Sequence, residues 1–186
     1  MKRLIPMLGL GIILVTPSRA RGQDSSGVPN CATTHQRTAL LWCEGSRYFV
    51  QHDEEGYKKA IGPYSRALEL EKAHRTLERN AWLVLIDGLG MSYGITGNLA
   101  KAKETFEYGL SQEPRYPMFY YNLACTYAEM GDETHAIANL RHAFEFRANM
   151  IPGEDMPDPS SDDSFQRFIR DSAFVAAVRS LPGRTQ

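Results

Sequence analysis

Small and large apolar residues alternate at helical spacing through the middle of the chain, and the alternation returns after 34 residues. Residues 83–116 lie over 117–150 without a gap. Leu89 falls on Leu123, Gly90 on Ala124, Tyr93 on Tyr127, Ala102 on Ala136, Phe106 on Leu140 and Leu110 on Phe144. Two antiparallel helices need this arrangement to pack closely, because small residues on one admit bulky residues from the other. Gly97-Asn98 and Gly131-Asp132 mark the turn within each pair. Glycine ends the first helix, and the Asn or Asp side chain caps the second. Pro114 stops the second helix of the earlier pair.

A looser version of the pattern comes first. Gly45 and Tyr48 repeat the spacing of Gly90 and Tyr93, while Tyr57, Ala60, Tyr64, Ala67 and Leu68 repeat that of Leu99, Ala102, Phe106, Gly109 and Leu110. Its two helices are separated by extra polar residues at His52-Asp53-Glu54-Glu55-Gly56. Between Ala67 and Gly90 about two helical turns are inserted, which predicts longer helices around residues 70–82 with a break near Thr76, where a Thr could cap. Gly62-Pro63 lies inside a predicted helix and should kink it, since proline removes a hydrogen bond.

The period and the typed positions together resemble the tetratricopeptide repeat, a helix–turn–helix unit of 34 residues. The run from Tyr120 to Asp132 (YYNLACTYAEMGD), followed by Ala136-Ile137 and Ala143, carries that resemblance most closely. It implies an all-α fold: a short right-handed α-solenoid of about three units at residues 36–75, 76–116 and 117–150.

The ends read differently. Residues 1–20 have the layout of an export signal: Lys2 and Arg3, an apolar run from Leu4 to Val15, then a small-x-small site at Ser18-Arg19-Ala20. The run of 12 residues is short for a bilayer span, and no other segment of the sequence could span a membrane. The expected protein is exported, to a periplasm or beyond the cell, with cleavage after Ala20 or after Gly22. Residues 21–35 read as a flexible leader and residues 151–161 as a proline-rich linker. Within 162–181, Asp162–Ile169 and Ser172–Ser180 read as two short amphipathic helices with Phe165, Phe168, Phe174 and Val178 on the apolar side. A solenoid leaves the last unit's apolar face open, so a cap explains these residues more simply than a partner-binding flap.

Composition narrows the function classes. The 186 residues are 42% apolar, enough for a core, and 21 basic against 22 acidic side chains remove the usual electrostatic reason to expect nucleic acid as a partner. Loss of Lys2, Arg3 and Arg19 with the signal leaves 18 basic residues and a charge of about −4. The sequence contains no Gly-rich phosphate loop, His-Glu-x-x-His, Cys-x-x-Cys or Gly-x-Ser-x-Gly. His135 and His142 share a helix face without an evident third metal ligand, and the acids Glu154, Asp155, Asp158, Asp162 and Asp163 lack the alternation of a calcium loop. No catalytic residue, metal or cofactor is therefore expected. Export permits a Cys31–Cys43 disulfide, leaving Cys125 as the odd thiol; small core residues are the alternative reading of Cys43 and Cys125.

What remains is a surface. In tetratricopeptide arrays the first helix of each unit lines a concave groove for extended peptides or partner helices. The resemblance places Trp42, Ser46 and Phe49 there from the first unit, and Val84, Asp87, Met91 and Ile95 from the second. The third contributes Met118, Tyr121, Asn122, Cys125 and Glu129. Asn122 stands where family members hold a peptide backbone, though Asn is also common there without a known ligand. Gly88 interrupts any ladder of such residues, and Asp87 and Tyr121 replace the family's basic clamp, which argues against acidic peptide tails. The resemblance thus implies a non-catalytic module binding a protein or peptide. Self-association into a homo-oligomer through the groove or terminal helices is the alternative, and a thiol-dependent accessory enzyme a more distant one.

Overall fold

The computed structural model describes residues 29–183, and among these there are seven α-helices and no strand. The export-signal segment and most of the leader lie outside the described residues. The first six helices form three antiparallel pairs: α1 (Arg37–Phe49) with α2 (Glu54–Ala73), α3 (Arg79–Ile95) with α4 (Leu99–Gln112), and α5 (Pro117–Met130) with α6 (Glu133–Glu145). Each pair also packs on the next, α2 on α3 and α4 on α5, which is the layering of a tetratricopeptide-like α-solenoid. α7 (Ser172–Arg179) closes the far end against α6.

Local chemistry sets the boundaries. Gly97 and Gly131 take φ of 86° and 85°, a left-handed turn that costs glycine little. Immediately after them, the Asn98 and Asp132 side chains accept from the amides of Lys101 (3.2 Å) and His135 (3.0 Å). Asp53 caps α2 in the same way, accepting from Gly56 N at 2.6 Å, so Glu54 and Glu55 belong to the first helical turn and not to the preceding loop. Two negative charges at a helix start are favourable there.

The inserted turns lengthen α2 to 20 residues and α3 to 17. Their break falls at residues 74–78, but Thr76 caps neither helix. Its backbone N–H (3.0 Å) and hydroxyl (2.6 Å) both donate to the buried carboxylate of Glu71, which also accepts from Leu77 N (3.1 Å). One side chain of α2 thereby satisfies the backbone donors of the turn that follows it. Pro63 is buried inside a continuous α2. Asp162–Ile169, read from sequence as a helix, is a 3₁₀ turn at Asp163–Phe165 followed by further turns.

Two apolar clusters meet at α5. The first joins α1–α4 to Met118, Phe119 and Leu123 of α5 and includes Ile151. The second holds Tyr121, Ala124, Cys125 and Ala128 from the other side of α5, the inner face of α6, and Phe165, Phe174, Val178 and Leu181. Trp82, Phe119 and Phe165 are fully enclosed.

Cys31 and Cys43 form a disulfide with Cα atoms 5.7 Å apart, tying the segment before α1 to that helix. Loop closure over 12 residues limits its contribution to about 3 kcal/mol. Most of residues 31–37 are exposed and can peel away without disturbing α1, so reduction is expected to cost about 1–2 kcal/mol. Urea denaturation of the wild type with and without reductant, alongside Cys31→Ser, measures this. A midpoint unmoved by reductant would show that the bridge adds no stability.

Candidate functional site

α1, α3 and α5, the first helices of the three pairs, lie side by side, with α3 in contact with both of the others. On α1, Trp42 is buried and donates its indole N–H to Ala81 O at 2.9 Å. Phe49 is buried edge-on against Tyr57 (5.2 Å), and Ser46 Oγ lies 3.0 Å from Tyr64 Oη. These three side chains hold α1 to α2 and α3. Met91 is buried in the first cluster, while Val84 and Ile95 stay half-exposed beside it.

The second and third units share a polar contact at the centre. Asn122 Nδ2 donates to Asp87 Oδ1 at 2.6 Å, both side chains buried. The amide suited to hold a peptide backbone is thus engaged by the neighbouring helix. Burial raises the Asp87 carboxyl to about 7, and the negative charge of Glu154 adds to the rise while the Asn122 bond opposes it. The Asn ladder stops at Gly88 for a steric reason: a Cβ there would sit 2.8 Å from the buried Tyr64 ring.

Along α5 the face is already covered by the chain itself. After α6, residues 151–167 turn back across α5 and follow it from its first turn to its last. Ile151 joins the first cluster, which includes Met118. Tyr116 Oη donates to Glu154 Oε1 at 2.7 Å, and Ile151 N holds the other Glu154 oxygen at 2.8 Å. Further along, Tyr121 Oη donates to Asp162 Oδ2 at 2.9 Å, and the Cys125 thiol lies 3.9 Å from the same oxygen. Phe165 stands edge-on to Tyr121 with ring centroids 6.1 Å apart. Arg167 reaches the carbonyls of Ala128 (3.3 Å) and Glu129 (3.4 Å), where the negative end of α5 welcomes a cation. Glu129 itself is half-buried.

This arm is acidic, yet no ion pair among the described residues involves Glu154 or Asp162. Tyrosine hydroxyls and backbone amides hold these carboxylates, and the Arg79 charge favours Glu154 without pairing with it. An acidic segment of the chain itself thus lies on this face without a basic clamp. Burial pushes the Cys125 thiol, the free cysteine among the described residues, well above its ordinary range, with the Asp162 charge adding to it. A thiol so placed is a weak nucleophile.

Sequence reasoning missed Tyr116, Glu154 and Asp162 as members of this site. Tyr116 precedes α5 as its N-cap, and the two acids lie in irregular backbone, so none sits on a periodic helix face. The Asp162-x-Ser164 spacing was the one local signal, since Asp commonly accepts from the amide two residues on; here Ser164 N donates to Asp162 Oδ1 at 2.9 Å.

The two histidines are occupied locally. His135 pairs with Asp132 (2.6 Å) and stacks on Tyr127, while His142 approaches Glu145 (3.3 Å) and Tyr120. Among the described residues no group of three or more His, Cys, Asp or Glu side chains could hold a metal ion, and no helix is long and apolar enough to cross a membrane. A cleft of about 270 Å³ opens on the opposite side, between α2 and α4, with Leu68, Leu89, Tyr93 and Tyr108 in its walls.

The tetratricopeptide repeat family model matches residues 119–150, which covers most of α5, all of α6 and the turn between them. No curated protein and no solved structure matches the chain.

Proposed function

We propose that this chain is a non-catalytic protein-interaction module, and that it receives a polypeptide segment of its partner on the concave face of α3 and α5. A tetratricopeptide repeat is a scaffold for protein contacts, and that coarse role follows from the match at residues 119–150. The finer reading rests on one observation. The α5 face holds a polypeptide segment, using tyrosine hydroxyls for its carboxylates and an enclosed site for its aromatic ring. A surface that seats one segment of chain has the donors and apolar area to seat another. Export is part of the proposal: the layout of residues 1–20 and the Cys31–Cys43 bridge both suit an oxidising compartment.

A photo-crosslinking side chain at Ile95 or Glu129, the half-buried concave positions, tests the surface. Control probes belong at Glu104 and Lys101 on the opposite side. Crosslinks to a discrete partner are expected from the concave probes and not from the controls. Equal yields from both sides would exclude the concave face.

A further inference from the structure

The arm poses a question that its role as a cap does not answer. Phe174, Val178 and Leu181 already cover the open face of α6. Residues 151–167 add Phe165 to that cluster and also lay two carboxylates and that aromatic ring along α5. From Tyr116 to Glu129 the helix advances about 20 Å, whereas 13 extended residues would span about 43 Å. The arm is therefore folded into turns. Its most self-contained part is Asp162-Asp163-Ser164-Phe165, where one Asp162 oxygen closes the 3₁₀ turn on Ser164 N and the other accepts from Tyr121. The turn then delivers Phe165 to the ring of Tyr121.

Resting on the concave-face reading above, we infer that α5 recognises an Asp-x-x-Phe turn, that residues 162–165 are the chain's own copy of this ligand, and that a partner segment with the same turn replaces it. One feature favours exchange of the resident copy. Its one buried carboxylate, Asp162, is taken out of water with no ion pair among the described residues, so part of what the apolar contacts contribute is offset by desolvation. α7 packs on α6 through Phe174 and Val178, and although release of the turn gives up the stacking of Phe165 on Phe174 (5.5 Å), the turn stays tethered beside its site. Tethering holds the site closed against weak competitors and sets a threshold for a partner.

Cys125 reports the exchange, because it is buried and its thiol faces Asp162. In the full chain at pH 8, alkylation of Cys125 is expected to proceed through a local opening, with a rate nearly independent of urea below the unfolding transition. A rate that tracks global unfolding across all urea concentrations would overturn the proposal, because the arm would then never leave a folded chain.

The second arm of the test uses a labelled peptide of residues 158–168 and the full-length Phe165→Ala variant, checked for cooperative helical melting. The peptide is expected to bind this variant at least about tenfold more tightly than the wild type, whose own turn competes. It should also slow Cys125 alkylation, and a peptide with both Asp162→Ala and Phe165→Ala should do neither. A folded variant that ignores the first peptide would overturn the assignment. The two readings fail separately. Concave crosslinks without peptide binding would remove the exchange and leave the interaction face standing. Peptide exchange without concave crosslinks would remove the face as the partner's site.

Discussion

Stability is expected to fall by up to about 4 kcal/mol as the pH rises from about 4 to about 8, and the cause is Asp87. Its carboxyl is raised to about 7 in the folded chain, chiefly by burial, against an ordinary value of 3.8. Between those values the folded state holds a proton that the unfolded state has released, so rising pH favours unfolding. The contribution is complete below about pH 4 and lost as pH passes about 7. Glu154 is raised too, again by burial first, and pulls in the same direction. Asp132 is lowered by its bond from His135 N and acts in the opposite sense, but it lies at the surface, where solvent screens it.

Asp87→Asn separates the sources. The amide oxygen still accepts from Asn122 Nδ2, so the contact between units survives while the titrating group is gone. Urea midpoints at pH 5 and pH 8 should differ clearly in the wild type and much less in Asp87→Asn, with the variant the more stable at pH 8. Equal slopes in the two proteins would show that Asp87 does not carry the effect.

The other large effect concerns shape. Gly90→Leu is expected to cost about 3 kcal/mol or more, since a Cβ at Gly90 would already lie 2.5 Å from the Phe106 ring and Phe106 has nowhere to go. Gly90→Ala pits two terms against each other. Alanine favours the helix by about 1 kcal/mol over glycine, while overpacking a closed core costs about 1–3 kcal/mol. The overlap wins because the ring is only 1% exposed and cannot swing into solvent. The third unit shows the remedy, with Ala124 and Leu140 in the places of Gly90 and Phe106. Gly90→Ala combined with Phe106→Leu should therefore lose less than the two single changes added together. Strict additivity in that cycle would remove the pairing between these positions.

The same pairing explains why the fold was legible. An aromatic on the second helix demands glycine on the first, as Tyr64 with Gly45 and Phe106 with Gly90 show, and a smaller Leu140 tolerates Ala124. Each constraint acts between residues of one hairpin, less than twenty positions apart, so it leaves a period that can be read. Caps are more local still: Asn98 and Asp132 each bind an amide three residues on. The Glu71 knot at Thr76 is equally short in range, but it carries no repeat, and a capping Thr was the wrong expectation there.

The groove was not legible in the same way. Its expected lining positions follow from helical register; of these, Asn122 meets Asp87 while Tyr121 and Cys125 face the arm. What covers them comes from residues about 40 positions later, in backbone without period. Helical periodicity reports which face of a helix turns inward, never which distant segment will lie against it. Apolar period, small-to-large pairing and capping residues thus determined by themselves the three hairpins and their order, because those interactions close over short stretches of chain. Tertiary structure alone decided that Asp87 meets Asn122 in a buried site within reach of the Glu154 charge, and that an acidic arm occupies the face expected to stand open. Burial and long-range proximity, which no local spacing encodes, are the physical reason.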